Sequence, residues 1–399
     1  MQSSKQKTAI IALILVSIAA AARAGFVVYR SYGAPEAAQT ALMDKHFQPS
    51  ARVLELLNRT DAALPAADGS FPCVFESVAE SGPSPQLGKC SAPTTHSGPV
   101  ERFEADLRYG HFVLRQSDLY VQDVFDVPLT RSYNSGDFIH PNRAHAFGRN
   151  TNHPYDIAPV GTRFPYTEQD LILEDGDSLR FPRVSEGTSY SDAIYQHTET
   201  STEFYKAVTA WNGAGWTTWR TDGFAIAFPE AYKGKSMAQG AATEMRDADG
   251  NRLKLMRDEQ RNLLEIGTPH KHWIRFKYDD QSRIVRAEDD KGHWAEYRYD
   301  GTGMLADATL SSGHKRHYSY AGDLMTSIED ENQRVLLRNS YTGMLLTSQD
   351  FGNGQIYSYS YVPSANGLYA ESVEVTSPDG RTAPIALGGS VPESVRNQQ

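Results

Sequence analysis

The chain has 399 residues, enough for two or three domains. Its hydrophobic content of 40% and charged content of 22% are typical of globular proteins and exclude wholesale disorder. Acidic residues outnumber basic ones by 49 to 39, and the resulting net charge of −10 argues against nucleic-acid binding, which needs a basic face. The 21 tyrosines, 31 glycines and 20 prolines favour an all-β fold, because tyrosine suits half-buried strands while glycine and proline form turns.

The first segment, 1–30, is typical of an export signal. Two lysines precede a long apolar run, and a small-x-small triplet ending at Ala24 fits the cleavage site of a secretory signal peptide. Residues 8–29 are also long enough to anchor the chain in a bilayer. Both interpretations stay open. Both place the rest of the chain outside the cytoplasm, membrane-anchored through 8–29 or secreted (or periplasmic) after cleavage near Ala24.

The next two segments differ in amino-acid composition. Apolar spacing over 31–63 predicts short helices, which we interpret as a stalk. Residues 64–105 are rich in Pro, Gly and Ser and predict a linker. This linker contains the only two cysteines, Cys73 and Cys90. In an oxidising compartment they would form a disulfide that closes a short loop, and two buried free thiols are the alternative.

After the linker, short stretches alternate apolar and polar residues and are separated by turn signals. We predict a β-rich head domain over 106–245, since several short strands at close spacing indicate a sandwich, barrel or sheet-wrapped shell. A repeat region follows over 246–375, and a polar tail occupies 376–399.

The repeat region is marked by one tyrosine per unit, which we call the anchoring tyrosine. Consecutive anchoring tyrosines are 21 residues apart, and the last follows after 20: Tyr278, Tyr299, Tyr320, Tyr341 and Tyr361. Gly292 and Gly313 each precede their anchor by seven residues, and a turn and an aliphatic residue follow each anchor. Each unit is a predicted hairpin that cannot bury its own face and must stack on its neighbours, which lines up the tyrosine rings.

The unit Gly-x-x-x-x-Tyr-x-Tyr-Asp-x-x-Gly-x-Leu, best matched from Gly292 to Leu305, resembles the YD repeat of RHS (rearrangement hot spot) proteins. Upstream, the segments 128–135 and 146–149 are similar to the domain that heads RHS cores. The resemblance covers roughly residues 110–375 and implies a spiralling β-sheet that forms a partial RHS shell. Large family members close this sheet around a C-terminal toxin, and animal relatives use it in adhesion. We expect a short member that lacks the C-terminal toxin and the self-cleavage motif.

Three tryptophans surround the turn Asn212-Gly213 and are candidate ligand-binding residues: Trp211, Trp216 and Trp219. Exposed rings would stack on sugars, whereas buried rings would pack the core of a hairpin. Both interpretations stay open.

The densest polar cluster includes the other candidate ligand-binding residues, His140, His145 and His153, which lie close in sequence to Asp156. In a hydrolase such residues act as acid, base or ligand. In a long loop of a head domain they make buried polar contacts. We prefer the loop interpretation, and we predict no catalytic residue, metal or cofactor.

The sequence therefore favours an exported, non-catalytic structural or binding module at the cell envelope, which recognises a protein or a glycan and contacts the membrane through its N-terminal segment. One alternative is a component of a polymorphic-toxin or contact-dependent system that acts with a separate effector. A third hypothesis is a hydrolase that uses the region from His140 to Asp156.

Overall fold

The structure is a computed structural model that describes residues 47–59, 70–77, 86–91, 99–124, 126–137, 146–200, 202–231, 234, 236–352, 354–363 and 370–387. The predicted signal or anchor segment and the second half of the polar tail, 388–399, lie outside these residues. Within the described ranges, no helix is long and apolar enough to cross a membrane.

Over the described residues, the fold is all-β, as predicted, with three antiparallel sheets and one short α-helix, α1 (Ala51–Leu57). The six-stranded sheet, in the order β2-β1-β3-β4-β5-β6, contains β1 (Ser70–Ser77), β2 (Gln86–Ser91), β3 (Glu101–Asp106), β4 (His111–Val121), β5 (Val127–Asn134) and β6 (Thr151–Asn152). The three-stranded sheet contains β7 (Ala158–Gly161), β8 (Glu168–Ile172) and β9 (Ser178–Pro182).

The 18-stranded sheet follows chain order throughout, so each strand pairs with the next. Its first half is β10 (Ile194–Gln196), β11 (Val208–Trp211), β12 (Gly215–Trp219), β13 (Ala225–Pro229), β14 (Glu244–Arg246), β15 (Arg252–Arg257), β16 (Leu263–Gly267), β17 (Trp273–Tyr278) and β18 (Ile284–Asp289). Its second half is β19 (Trp294–Tyr299), β20 (Leu305–Leu310), β21 (Lys315–Ala321), β22 (Leu324–Asp330), β23 (Val335–Thr342), β24 (Leu345–Asp350), β25 (Ile356–Pro363), β26 (Ala370–Thr376) and β27 (Thr382–Ala386). Two 3-10 helices, Pro154–Asp156 and Met237–Gly240, complete the described elements.

An aspartate begins many of the repeat turns, and its side chain caps the turn. The Oδ1 atom of Asp279 accepts the amides of Gln281 at 3.0 Å and Arg283 at 2.9 Å, as Asx turns do. The same capping occurs at Asp247, Asp289, Asp300 and Asp330. The third residue after the aspartate has a left-handed backbone, with φ of 60° at Ser282 and 89° at Gly303, which explains why glycine is frequent there.

The anchoring tyrosines tie neighbouring hairpins together. A register shift interrupts the strand pairing immediately before Tyr278, Tyr299, Tyr320 and Tyr341. Each hydroxyl then donates to a backbone carbonyl of the previous hairpin: Tyr278 to Leu263 at 2.9 Å, Tyr299 to Ile284 at 2.6 Å, Tyr320 to Leu305 at 2.9 Å and Tyr341 to Met325 at 2.9 Å. Burial raises the pKa of all four phenols, so they remain protonated donors.

The six-stranded sheet and its loops pack along these register shifts, which are β-bulges. The aliphatic residues that follow the anchoring tyrosines donate their backbone N–H groups across the boundary. Ile284 donates to the Ala146 carbonyl at 2.7 Å, and Leu346 to the Gly110 carbonyl at 2.8 Å. Met325 donates to the hydroxyl of Tyr133 at 2.9 Å. A single hydrophobic cluster therefore includes side chains of all three sheets.

A buried polar network lies inside this shared core. Arg131 on β5 donates through its Nη2 atom to the Asp118 carboxylate at 3.0 Å and to the Tyr318 hydroxyl at 3.0 Å. Tyr297 donates to Asp118 at 2.7 Å, and Tyr318 to the Gln116 side-chain oxygen at 2.8 Å. Because a buried charge is costly unless it is paired and hydrogen-bonded, these contacts fix the position of the head on the repeats.

The predicted stalk over 31–63 differs from the structure in its described part. Ser50 caps α1 by accepting the Val53 amide at 3.3 Å. Val53 and Leu56, on one face of the helix, are buried in a second cluster with Val208 and Trp219. The helix therefore packs on the outer strands of the 18-stranded sheet and does not stand free.

The predicted linker over 64–105 contains three strands, β1, β2 and β3. Pro, Gly and Ser obscured them in the sequence, yet β1 pairs with β3, and Val74 is fully buried opposite Ala105. Cys73 is also buried on β1. The Cys90 side chain lies outside what the structure describes, so the disulfide stays a prediction.

The predicted boundary between the head (106–245) and the repeats (246–375) falls inside β14, which pairs on both sides with strands of the same sheet. The 18-stranded sheet therefore begins in the predicted head domain, at β10, and continues without a break into the repeats.

Candidate binding site

The tryptophan hairpin consists of β11 and β12, joined by the predicted turn. Trp211 pairs directly with Trp216 across the hairpin, and their rings meet edge to face with centroids 5.4 Å apart. Trp216 is buried, and its indole N–H donates to Glu230 at 3.1 Å. Trp219 is buried under α1, and its N–H donates to the Phe47 carbonyl at 3.0 Å. Two of the three tryptophans therefore pack the core, and only Trp211 is partly accessible.

Trp211 belongs to a group of rings that we call the aromatic surface, which also includes Tyr166 and Tyr190 and, next to Pro165 in the same loop as Tyr166, the exposed Phe164. The Tyr190 ring packs edge to face on Trp211 with centroids 4.8 Å apart, and Tyr166 packs on Tyr190 at 6.1 Å. Phe164 is 78% exposed and Tyr190 is 44% exposed. Exposed aromatic side chains of this kind are enriched at binding interfaces.

Arg183 holds together the two loops that carry these rings. Its guanidinium donates to the carbonyls of Pro165 at 3.3 Å and Tyr166 at 3.4 Å in the first loop. It also donates to the carbonyls of Ser189 at 3.1 Å and Glu186 at 2.8 Å in the second loop. Because one planar group with several donors bonds both loops, the exposed rings are presented in a fixed arrangement.

Charged and polar groups border the aromatic surface. Arg163 pairs with Glu230 at 3.4 Å, and Glu230 also accepts the Trp216 indole. On the neighbouring strand β10, burial raises the pKa of Tyr195 to about 12, so this ring remains neutral against Trp216. The site thus combines exposed rings with an ion pair at its margin, an arrangement suited to binding.

The predicted histidine cluster is only partly described. His140 and His145 lie outside the described residues. His153 is fully buried, stacked on Phe276 and in edge-to-face contact with Phe147. Its Nε2 atom lies 3.6 Å from the Asp156 carboxylate, which also pairs with Arg257 at 2.7 Å. His153 therefore packs in the core and does not face a ligand from solvent. Over the described ranges, no group of three or more His, Cys, Asp or Glu side chains is placed to hold a metal ion.

The residues predicted to anchor the repeats occupy structural positions. The rings of the anchoring tyrosines pack against the main core. Gly292 and Gly313 lie in hairpin turns with φ of 87° and 92°, conformations that favour glycine.

Sequence reasoning missed Phe164, Tyr166 and Tyr190. A signal was present, because Phe164 precedes a proline and Tyr190 lies in a Ser- and Gly-rich loop, a composition typical of exposed segments.

The fold and the site together define an all-β repeat protein with an exposed aromatic surface. No protein-family model matches the chain, and no curated protein matches it. Among solved structures, it is similar to a crystal structure of TcdB2-TccC3 at 14% identity and a TM-score of 0.29, over 72% of this chain and 20% of that chain. It is also similar to the Tc holotoxin pore of Photorhabdus luminescens, which contains a mutated TccC3, at 13% identity and a TM-score of 0.29, over 79% of this chain and 18% of that chain.

This chain thus spans about a fifth of the length of the solved chains it matches. The likeness extends at most to the β-sheet architecture. It assigns no activity, ligand or partner to this protein.

Proposed function

We propose that the protein is a short, exported RHS-repeat module without catalytic activity, which binds a glycan or a protein at the cell envelope. The aromatic surface supports this proposal. Its most exposed rings, Phe164 and Tyr190, lie on loops that Arg183 holds in one arrangement. Rigid aromatic groups bind at low entropic cost, because little side-chain freedom is lost on contact.

The packing of the repeats also supports a binding role. The face that carries the anchoring tyrosines is covered by the six-stranded sheet, and the Arg131 network fills the space between them. The repeats therefore serve as a scaffold, and the aromatic surface lies outside this contact.

The test starts with native mass spectrometry of the protein purified gently from its own envelope, followed by a glycan array. The double variant F164A/Y190A should lose affinity for the identified ligand by at least tenfold, about 1.4 kcal/mol. A matched control is Val362→Ala, which removes an exposed apolar side chain on the distant strand β25.

Ligand binding that is unchanged in F164A/Y190A would contradict the proposal. A co-purifying effector whose binding survives these substitutions would instead support a toxin-system component. Substrate turnover by the purified protein would support a hydrolase.

A further inference from the structure

A cavity, separate from the aromatic surface, lies where the head meets the first repeats. It is a cavity of about 400 Å³, within the range of about 300–1,000 Å³ that is usual for small-molecule sites. The loop at 146–149 lines it, and so does Ala238 of the 3-10 helix Met237–Gly240. The turns at 260–262 and 281–283 and Gly303 complete it.

The walls are held by backbone contacts. The Arg149 amide donates to the Gly303 carbonyl at 3.1 Å. Gly148 has φ of 81°, and a Cβ there would lie 2.4 Å from the same carbonyl oxygen. The head loop can therefore approach the repeat turn this closely only with glycine at position 148, and the cavity has a preformed wall.

Among the described residues, four arginines lie in or beside the cavity, and three of them have carboxylate partners. These pairs are Arg149–Asp323 at 2.6 Å, Arg257–Asp156 at 2.7 Å and Arg283–Asp279 at 2.7 Å. The pairing neutralises these three charges locally. Asp156 itself lines the cavity, but its carboxylate is engaged by Arg257.

Arg261 is the exception. This half-buried side chain lines the cavity and donates to the Gln239 carbonyl at 3.3 Å, and it has no carboxylate within 4.0 Å among the described residues. Burial and the nearby positive charge of Arg257 lower the pKa of its guanidinium, and arginine nonetheless stays protonated at neutral pH. Among the described residues, Arg261 is thus a cavity-lining arginine without a carboxylate partner, in a protein whose net charge is −10.

The neighbouring groups are suited to an oxyanion. Asn262, Ser236 and Ser282 line the same cavity, and the side-chain amide of Asn262 already donates one hydrogen bond to Asp258 at 2.9 Å. Guanidinium groups bind carboxylate, sulfate and phosphate oxygens through paired hydrogen bonds, which are stronger than bonds between neutral groups.

We propose that this cavity binds a small molecule through an oxyanion group, with Arg261 as its principal partner. The ligand is either an acidic monosaccharide, which carries a carboxylate, or a free inorganic anion such as phosphate or sulfate. This site is separate from the aromatic surface and does not depend on the function proposed for it.

A later turn of the same type indicates which substitution of Arg261 the fold will tolerate. Arg261 occupies the left-handed position of its turn, with φ of 74°, and Gln333 occupies the equivalent position of a later turn with φ of 63°. Arg261→Gln therefore removes the charge and introduces a residue that this turn type already tolerates. Arg334→Gln is the matched control, because Arg334 is exposed and lies in the later turn, away from the cavity.

The experiment is isothermal titration calorimetry of the full chain with glucuronate, phosphate, sulfate and, as a neutral control, glucose. We expect saturable binding of at least one anion, no binding of glucose, at least a tenfold loss of affinity in R261Q and no change in R334Q. Tighter binding of glucuronate identifies the acidic sugar as the ligand, and tighter binding of phosphate or sulfate identifies the inorganic anion.

Near-ultraviolet circular dichroism and the urea midpoint verify that R261Q is folded. The proposal is overturned if no anion binds, or if R261Q and the parent protein bind with equal affinity. Anion binding should be intact in F164A/Y190A, so failure here is distinguishable from failure of the proposed function.

Discussion

Removing Arg131 tests how tightly the head is coupled to the repeats. The side chains of Arg131 and Asp118 are 1% and 0% exposed, so Arg131→Met leaves a buried carboxylate without its cation. Breaking a buried ion pair from one side costs about 3–5 kcal/mol. This is a large part of the roughly 5–15 kcal/mol by which folded proteins are stable.

The companion variants complete a double-mutant cycle. Asp118→Asn alone leaves the guanidinium without its anion and should have a similar cost. In the double variant neither charge remains, so its cost should be below the sum of the single costs by up to about 3 kcal/mol. Arg298→Met is the matched control. Arg298 pairs with Asp307 at 2.7 Å but is 74% exposed, and surface pairs are worth about 1 kcal/mol or less.

Urea unfolding followed by tryptophan fluorescence gives the four free energies of unfolding. Costs that add within about 0.5 kcal/mol would show that Arg131 and Asp118 act independently. If Arg298→Met lowered the free energy of unfolding as much as Arg131→Met, burial would not explain the contribution of the Arg131–Asp118 pair. Either result would refute the reasoning.

Three further predictions concern the repeats and the head loop that contacts them. Tyr299→Phe removes the hydroxyl that donates to Ile284 and should lower the free energy of urea unfolding by about 1 kcal/mol, whereas an unchanged midpoint would mean that the ring alone anchors the hairpin. Gly148→Ala combines a strained φ with a backbone clash and should destabilise the protein by more than Gly292→Ala. At position 292 a Cβ meets nothing within 4 Å, so the strained backbone alone costs about 1–2 kcal/mol. Equal shifts of the melting temperature in the two variants would contradict this prediction. Burial raises the pKa of the Asp300 carboxyl, but hydrogen bonds from the Thr302 side chain and the turn amides outweigh burial, so the pKa is lowered. The carboxylate therefore stabilises the fold above about pH 4, and this stabilisation is lost as the pH falls further. Asp300→Asn should reduce the drop in melting temperature between pH 5 and pH 3.

The repeat hairpins could be predicted because their signals are local. Tyr299 and the turn that follows it specify strand, bulge and reversal within a few residues. The 21-residue spacing from Tyr278 to Tyr299 predicts one hairpin per unit, in chain order. Alternation along β19 also placed Tyr297 and Tyr299 on one face, and both pack against the core.

The contacts between head and repeats could not be predicted, because nothing local encodes them. Arg131 and Tyr318 are 187 residues apart in sequence, and no pattern near either one identifies the other. The cavity beside Arg261 has the same origin, since its walls come from distant segments. The preferred loop interpretation expected buried polar contacts for His153, but its packing against aromatic rings could not be predicted, because Phe276 belongs to the distant strand β17.

The docking of the head on the bulges has a consequence for the order of folding during synthesis. The hydroxyl of Tyr133 meets the amide of Met325, which is 192 residues later in the chain. At about 5–20 residues per second, the ribosome needs roughly 10–40 seconds to make the intervening segment. Throughout that time the part of the head's apolar face around Tyr133 has no repeat strand to cover it. A chain that stops before Met325 would keep this face exposed, and such nascent chains depend on chaperones to avoid aggregation.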